Sequence, residues 1–250
     1  MAGIYEVLSG ALTQEKRLEV ITNNLANVNT VGFKKDRPLF EEIHPLGADP
    51  APSGSGVSPV PVYAALRDII PDLSAGPIRT TGEPLDVAVE GEGFFSIQTP
   101  QGVRYTRGGS FTLDAQGQLV TQSGFPVLGT GGPITLPPGS VNIDSDGKIS
   151  VKGTEVGAQA TEVDTLPIVQ FPESVRLKKV GETLFEANGA GAPSIEGRLL
   201  QGALEGSNVN PVEEMISMIQ VSRLYESAQK AIQTADEVAS KAANDVGRLT

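Results

Sequence analysis

Side chains that could carry out nucleophilic or metal chemistry are scarce in this sequence. The chain has a single histidine, His44, and no cysteine, so thiolate metal sites and disulfide bonds are both excluded. A Ser-His-Asp triad would have to use His44, and no G-x-S-x-G motif supplies its serine. The sequence therefore predicts that His44 is a loop or surface residue and that the protein is not an enzyme.

Two further kinds of motif could bind a ligand. The stretch DSDG at residues 144–147 resembles a calcium loop, but its glycine stands fourth instead of sixth and Lys148 occupies a ligand position. The stretches GSG, GTGG and GAG lack the glycine spacing that cradles phosphate. A hairpin turn is the better interpretation of residues 144–147. No catalytic residue, metal ion, cofactor or small-molecule substrate is predicted.

The charge of the chain is unevenly distributed. Of the net charge of −11, residues 47–205 carry −8, whereas residues 1–46 and 206–250 carry only −1 and −2. A strongly acidic chain repels the phosphate backbone, so nucleic acid is excluded as a partner. No apolar run approaches the roughly 18 residues that span a bilayer, and no secretory signal is recognised at the N-terminus. We therefore expect no membrane insertion.

The first segment, about residues 2–30, has the apolar spacing of a helix that packs along one seam. Seven of the eight heptad positions are apolar, and a glutamine occupies the other. These positions are Ile4, Val7, Ala11, Gln14, Leu18, Ile21, Leu25 and Val28. Because glycine favours the left-handed end of a helix, Gly32 is the predicted stop.

A second seam helix is predicted at the other end of the chain. Asn210 fits the cap position, Pro211 the first helical position and Glu213 the third. All ten of its seam positions are apolar. They are Met218, Val221, Tyr225, Ala228, Ile232, Ala235, Ala239, Ala242, Val246 and Leu249.

Between the two helices the pattern changes to short strands. Residues 47–62 are rich in proline, glycine and serine, which indicates an extended linker. FTLDAQGQLVT predicts a hairpin that turns at Asp114 to Gly117, and VNIDSDGKISV predicts another at Asp146-Gly147. The predicted fold class is α+β, with long N- and C-terminal coiled-coil helices around a central all-β domain of short strands and hairpins.

Four segments follow from this division. They are an N-terminal assembly helix at residues 1–35, an extended linker region at 36–82, a β-rich core domain at 83–205 and a C-terminal assembly helix at 206–250. The basic run of Lys34, Lys35 and Arg37 is interpreted as a polar helix exit.

The small side chains in the seam of the second helix predict that a pair of the two terminal helices is only marginally stable. Four of its ten positions are alanine, which gains far less on burial than the roughly 1.5–3 kcal/mol of a large aliphatic side chain. Ordering the backbone costs about 1–2 kcal/mol per residue. We therefore expect a bundle with more helices than one chain supplies. The alternatives are a polymerising structural subunit and a non-polymerising module whose helices clasp one partner.

Four asparagines crowd the end of the first helix, although asparagine is a mediocre helix former. They are Asn23, Asn24, Asn27 and Asn29. One interpretation is that their amides hydrogen-bond across helices and set the register between subunits, as a single polar residue does in a coiled coil. The other is that they are exposed caps on a fraying helix end.

Three stretches of the chain resemble one family, the bacterial flagellar axial proteins, which are the rod and hook subunits. SGALTQEKRLEVITNNLANVNTVGFKK resembles the N-terminal signature of that family, and EGSNVNPVEEMISMIQVSRLYESAQKAIQTADE the C-terminal one. TGEPLDVAVEGEGFFSIQTPQGVRYTRGGSFTLDAQGQLVTQSGFPVLG resembles the middle block of the rod subunits. Residues 47–80 and 155–195 match no part of the family pattern.

The resemblance implies a subunit of the flagellar basal-body rod that polymerises helically into a hollow drive shaft crossing the periplasm. Its implied partners are copies of itself, neighbouring rod subunits and the flagellar type III export apparatus, which needs no cleavable signal peptide. The helices would supply the assembly interface. Its expected residues are Ile4, Val7, Ala11, Leu18, Ile21, Asn23, Asn24, Leu25, Asn27, Val28, Met218, Val221, Tyr225, Ala228, Ile232, Ala235, Ala239, Ala242 and Val246.

Overall fold

The computed structural model describes residues 2–43, 63–153, 159–172, 174–181, 183–189, 191–193 and 197–247. His44 and the predicted linker at 47–62 lie outside these residues, as does the last seam position, Leu249. Within them the fold is α+β, with one helix at each end and a β-rich domain between, which confirms the predicted class at this level. Neither described helix is long and apolar enough to cross a membrane.

The described residues form two compact units. One contains both helices, α1 (Ala2–Ala26) and α2 (Pro211–Gly247), together with the strands β1 (Asp36–Ile43) and β2 (Tyr63–Pro71). The other contains residues 27–35 and 71–209. Residues 27–35 thus belong to the β-rich unit, although the sequence places them at the end of the N-terminal helix.

Helix α1 ends at Ala26, about four residues before the predicted end. A hydrogen-bonded turn follows, in which the Thr30 amide and hydroxyl donate to the Asn27 carbonyl and side-chain oxygens at 3.2 and 3.0 Å. Asparagine competes for backbone hydrogen bonds and so favours such a turn over a further helical turn. The placement of Val28 on a continuous helix is therefore wrong. Gly32 has the left-handed φ of 70°, as predicted, but it lies beyond the helix.

Helix α2 starts where the sequence predicts. The Asn210 side-chain oxygen accepts a hydrogen bond from the Val212 amide at 3.1 Å, and the Asn210 carbonyl accepts one from the Glu214 amide. The first bond satisfies an amide that has no backbone partner inside the helix, and the second is the first regular hydrogen bond of the helix. The 37 residues of α2 correspond to a rod of roughly 55 Å at about 1.5 Å per residue.

Strands β1 and β2 form a two-stranded ribbon in the helical unit. The Arg17 guanidinium of α1 stacks over the Phe40 ring of β1, with 4.6 Å between the guanidinium carbon and the ring centroid. A two-stranded ribbon is marginal alone, so packing against a helix stabilises it. The described parts of segment 36–82, which was expected to be an extended linker, contain this ribbon and a third strand.

Among its described residues the β-rich unit contains seventeen strands. They are β3 (Ile78–Thr80), β4 (Val87–Glu90), β5 (Phe95–Thr99), β6 (Gly102–Thr106), β7 (Phe111–Leu113), β8 (Leu119–Thr121), β9 (Leu128–Gly129), β10 (Gly132–Pro133), β11 (Ser140–Ile143), β12 (Lys148–Lys152), β13 (Ala160–Thr165), β14 (Val169–Gln170), β15 (Leu177–Lys179), β16 (Leu184–Ala187), β17 (Ala192–Pro193), β18 (Arg198–Gln201) and β19 (Ala203–Glu205).

Among the described residues the buried apolar side chains form two clusters, and the strands pair around them in small antiparallel sheets. The largest has the order β15-β16-β6-β5, and a three-stranded sheet has the order β11-β12-β13. Both predicted hairpins are confirmed: β7 pairs with β8, and β11 pairs with β12 across the turn at Gly147. The larger cluster contains Phe95 and Phe111, whose rings meet edge to face at 5.2 Å, with aliphatic side chains from β4, β8, β11, β12 and β18 and from the loops between strands.

The outer edge of β11 is covered by one side chain. The Gln201 amide nitrogen donates to the Val141 carbonyl at 3.0 Å and to the Pro84 carbonyl at 2.7 Å. Its oxygen accepts from the Ile143 amide at 3.1 Å. A glutamine thus takes the place of a neighbouring strand at an edge that would otherwise be unpaired.

Candidate assembly surfaces

The predicted seam lies where the two helices of one chain pack against each other. Most seam side chains are buried or half-buried. On α1 they are Val7, Ala11, Gln14, Leu18, Ile21 and Leu25, and on α2 they are Met218, Val221, Tyr225, Ala228, Ile232 and Ala235. Ile4, Ala239, Ala242 and Val246 lie on the described helices, but their side chains lie outside the description. The structure thus brings most of the predicted residues together within one chain.

A second set of apolar side chains on the same helices is exposed. We call Leu8, Leu12, Val212, Met215, Ile216 and Ile219 the outer stripe. Their exposed fractions run from 43% for Leu8 to 58% for Val212. The four members on α2 are spaced by three, one and three residues, so they share one face of the helix. Sequence analysis missed this stripe because a heptad template records one apolar face and passes over a second.

The four asparagines have different environments. Asn24 is 1% exposed, and its side chain pairs with the backbone of Asp36 on the ribbon. The Asn24 amide nitrogen donates to the Asp36 carbonyl at 3.0 Å, and its oxygen accepts from the Asp36 amide at 2.8 Å. Asn27 is also buried, whereas Asn23 and Asn29 are exposed. The exposed-cap interpretation is therefore wrong for Asn24 and Asn27, and a register between subunits stays a prediction.

A buried charge cluster lies in the β-rich unit. Lys34 and Glu205 are each 1% exposed and Arg107 is 3% exposed. The Lys34 ammonium lies 2.7 Å from one Glu205 carboxylate oxygen, and the Arg107 guanidinium lies 3.2 Å from the other. The ammonium also donates to the Ser74 carbonyl, and the guanidinium donates to the carbonyls of Val89 and Gly91. Lysine and glutamate are almost never fully buried unless they are paired.

Burial sets the electrostatics of this cluster. It lowers the pKa of Lys34 below its ordinary value, because a charged ammonium is poorly solvated there, and the Glu205 carboxylate opposes the shift. The pKa of Arg107 is lowered for the same reason, again against Glu205. The interpretation of Lys34 as part of a polar helix exit is therefore wrong. Local sequence carries no signal for this pair, because 171 residues separate its members.

Beside the charge cluster, the residues around Lys34 and those around Glu205 make further contacts with each other. The Asn208 side chain accepts a hydrogen bond from the Lys35 amide at 2.7 Å and donates to the carbonyls of Asp72 and Ser74. The Gly32 amide donates to the Glu205 carbonyl at 2.8 Å. Segments 32–35 and 205–208 are therefore joined by backbone, amide and ionic contacts together.

Chemistry beyond assembly has little support among the described residues. They contain no group of three or more carboxylate or imidazole side chains that could hold a metal ion. The DSDG stretch forms a hairpin turn in which the Gly147 amide donates to the Asp144 carbonyl at 2.9 Å. The β-rich unit contains a cleft of about 320 Å³, and half of its lining residues carry hydroxyl groups, among them Thr30, Ser110 and Ser123. The residues that line it include no acid-base pair.

Comparison with protein families finds three matches along the chain. Residues 4–34 match the family described as flagella basal body rod protein. Residues 88–151 match the D1 domain of flagellar hook protein FlgE/F/G, and residues 200–245 match the C-terminal region of flagellar basal body rod FlgEFG protein. The three regions occur in the order that the sequence motifs predict.

Individual relatives are similar over nearly the whole chain. The flagellar basal-body rod protein FlgG of Borreliella burgdorferi is 37% identical, with 98% of each chain covered. FlgG of Buchnera aphidicola subsp. Schizaphis graminum is 36% identical, with 93% of this chain and 95% of the relative covered. FlgF of Caulobacter vibrioides is 35% identical, with 98% of each chain covered.

Proposed function

The chain belongs to the family of flagellar basal-body rod proteins of the FlgF/FlgG type, and on this premise we propose that it polymerises helically through its terminal helices. It is a structural subunit of the rod in the flagellar basal body. The family is one of structural proteins and not of enzymes. The proposal concerns how the subunit is held in the rod.

The outer stripe carries this proposal. Val212, Met215, Ile216 and Ile219 are each about half exposed on one face of α2, next to its fixed start. Full burial of such a side chain is worth roughly 1.5–3 kcal/mol, so the exposed half of each leaves about 1 kcal/mol to be gained. Exposed apolar faces of this kind indicate contact with another protein. A helix face from a neighbouring subunit has the matching shape and chemistry.

The seam has a complementary role in the proposal. Its residues hold the two helices of a subunit together in coiled-coil fashion, so that the outer stripe is presented on an ordered pair. The assembly interface therefore comprises the predicted seam residues and the outer stripe. Different surfaces of one subunit meet in such a contact, and a heterologous contact that does not close produces a filament.

The finer identity of the subunit is also a proposal. The stretches SNVNPVEEM and MIQVSRLYE favour rod protein F over rod protein G, with the hook protein third. The identities of 35% to a FlgF and 36–37% to FlgG proteins support both rod subunits about equally. We further propose that the rod crosses the periplasm and transmits torque to the hook. Neighbouring rod subunits and the type III export apparatus are the proposed partners.

Assembly of purified protein tests the proposal. We expect light scattering to rise with protein concentration and electron microscopy to show filaments. The double variant Ile216→Ser, Ile219→Ser should keep wild-type helix content by circular dichroism and stay monomeric. The matched control Val103→Ser, Val180→Ser changes apolar side chains of similar exposure in the β-rich unit and should assemble normally. A fixed small stoichiometry at all concentrations would favour the clasping module, and normal assembly of the helix variant would contradict the proposal.

A further inference from the structure

Residues 27–35 pack within the β-rich unit, and we call them the anchor segment. Phe33 is fully buried, and the Lys179 ammonium lies 3.6 Å from the centroid of its ring while donating to the Lys34 carbonyl. Gly32 passes so close to the backbone of Gly108 that a Cβ would lie 2.2 Å from the Gly108 nitrogen. The segment is therefore closely packed, and a side chain at position 32 has no room beside Gly108.

The two buried cations beside the anchor segment share one directly paired carboxylate. Lys34 brings one cation into the interior and Arg107 supplies another, and Glu205 is the one anion paired to both among the described residues. The two cations repel each other, and this repulsion contributes to the lowered pKa of Lys34. Two backbone carbonyls bonded to Arg107 and one bonded to Lys34 solvate the cations in part but carry no full charge.

The Glu205 carboxylate is positioned to form ion pairs with both Lys34 and Arg107. One carboxylate oxygen accepts from the Lys34 ammonium at 2.7 Å and from the Gly76 amide at 2.8 Å, and the other accepts from Arg107. Its backbone lies on β19, which pairs with β3, and its carbonyl accepts from the Gly32 amide. The carboxylate that pairs with Lys34 and the carbonyl that binds the Gly32 amide therefore belong to the same residue, on the last described strand.

We propose that Glu205 is a latch, such that the anchor segment enters the β-rich unit only when β19 is in place. Without this carboxylate, docking the anchor would bury two cations beside each other, with only the weaker attraction of Asp72 for Lys34 and of Glu92 for Arg107 to offset the repulsion. With it, the anchor gains an ion pair and the amide contacts of segment 205–208. The latch orders the segments that directly follow α1 and precede α2 in one step. The inference goes beyond the proposed function, because it concerns the single chain and holds whether or not the chain polymerises.

Native-state hydrogen exchange of the full-length monomer tests the latch. The reporters are the amides of Gly32 and Lys35, which bond to segment 205–208, and the references are the core amides of Val127 and Ile134. In Glu205→Gln we expect protection at the reporters to fall by about a hundredfold or more, because removing one partner strands a buried charge. Protection at the references should stay close to wild type.

A matched control and a double-mutant cycle isolate the charge. Glu186→Gln removes the carboxylate that pairs with Arg104 near the surface and should leave both reporters unchanged. In a Lys34→Met background the Glu205→Gln change strands one cation instead of two, so its effect on the reporters should be much smaller. If Glu205→Gln does not fold, Glu205→Asp replaces it, since its shorter side chain draws the charge away from Lys34. Partial loss confined to the reporters is then expected.

Three results would overturn the latch. The first is unchanged protection of Gly32 and Lys35 in the Glu205 variant. The second is an equal fall at the reporters and at the references, since the anchor would then open only with the whole unit. The third is an equal effect of Glu205→Gln with and without Lys34, because the two charges would then be independent.

Discussion

Replacing Asn24 with leucine should destabilise the helical unit, even though leucine is the better helix former. The side chain of Asn24 is 1% exposed and bonds both the amide and the carbonyl of Asp36, at 2.8 and 3.0 Å. Leucine has a similar size but can bond neither group. The variant would therefore leave a donor and an acceptor at the start of β1 without partners.

The expected loss follows from these two bonds. Each buried polar group left without a partner costs about 1–3 kcal/mol, so the pair costs about 2–6 kcal/mol. The gain in helix propensity is at most about 0.7 kcal/mol. The net change should lower the free energy of unfolding by about 2 kcal/mol or more. With a urea dependence of about 1–3 kcal/mol per molar, the midpoint should fall by about 1 M.

Circular dichroism at 222 nm, which follows the two helices, measures this loss during urea unfolding. The matched control is Thr22→Leu, which also introduces leucine for a weaker helix former, at an exposed position of the same helix two residues earlier. It gains a similar propensity and should be neutral or slightly stabilising. Equal midpoints for Asn24→Leu and wild type would refute the reasoning, because the Asp36 contacts would then contribute nothing. If the amide sets register between subunits instead, the monomer would keep its stability and only assembly would fail.

Three further predictions concern single positions. Gly32→Ala should destabilise the β-rich unit by about 3 kcal/mol or more, measured by thermal unfolding, because φ is 70° and the new Cβ would lie 2.2 Å from the Gly108 nitrogen. Wild-type stability of this variant would show that the anchor segment can shift to make room. Asn210→Ala removes the cap bond to Val212 and should lower helix stability by about 0.5–2 kcal/mol, seen in the urea midpoint at 222 nm. Between the lowered folded-state pKa of Lys34 and its unfolded value of 10.5, the unfolded chain binds more protons, so the free energy of unfolding from this group rises with pH. The difference between wild type and Lys34→Met should show this rise as the pH approaches 10.5 from below, and a flat difference would contradict it.

Elements specified by neighbouring residues could be predicted from the sequence. The start of α2 depends on Asn210 and the two residues after it, and the hairpin turns depend on Asp114, Gly117 and Gly147. In each case the side chain or the backbone freedom that makes the turn lies within a few residues of the bond it forms. The seam positions could also be predicted, because buried side chains recur every three to four residues along an amphipathic helix.

Features that depend on distant residues could not be predicted. The end of α1 was placed too late because the apolar pattern continues to Val28, whereas the fold takes Asn27 and the residues after it into the β-rich unit. Lys34 looked like a solvated cation because its carboxylate partner lies 171 residues away. An asparagine or lysine has the same local pattern whether it faces water or a buried backbone, so only the folded chain distinguishes the two.

The hydrogen bonds of the Gln201 side chain also bear on how subunits associate with one another. A subunit that, as we propose, assembles through its helices also carries strands, and an unpaired strand edge can pair with a strand of another chain. By occupying the carbonyl of Val141 and the amide of Ile143, Gln201 closes one such edge within the monomer. Crowded subunits are then left with fewer ways to associate wrongly. At protein concentrations below those at which wild type assembles, we expect Gln201→Ala to form β-rich aggregates and wild type to form none.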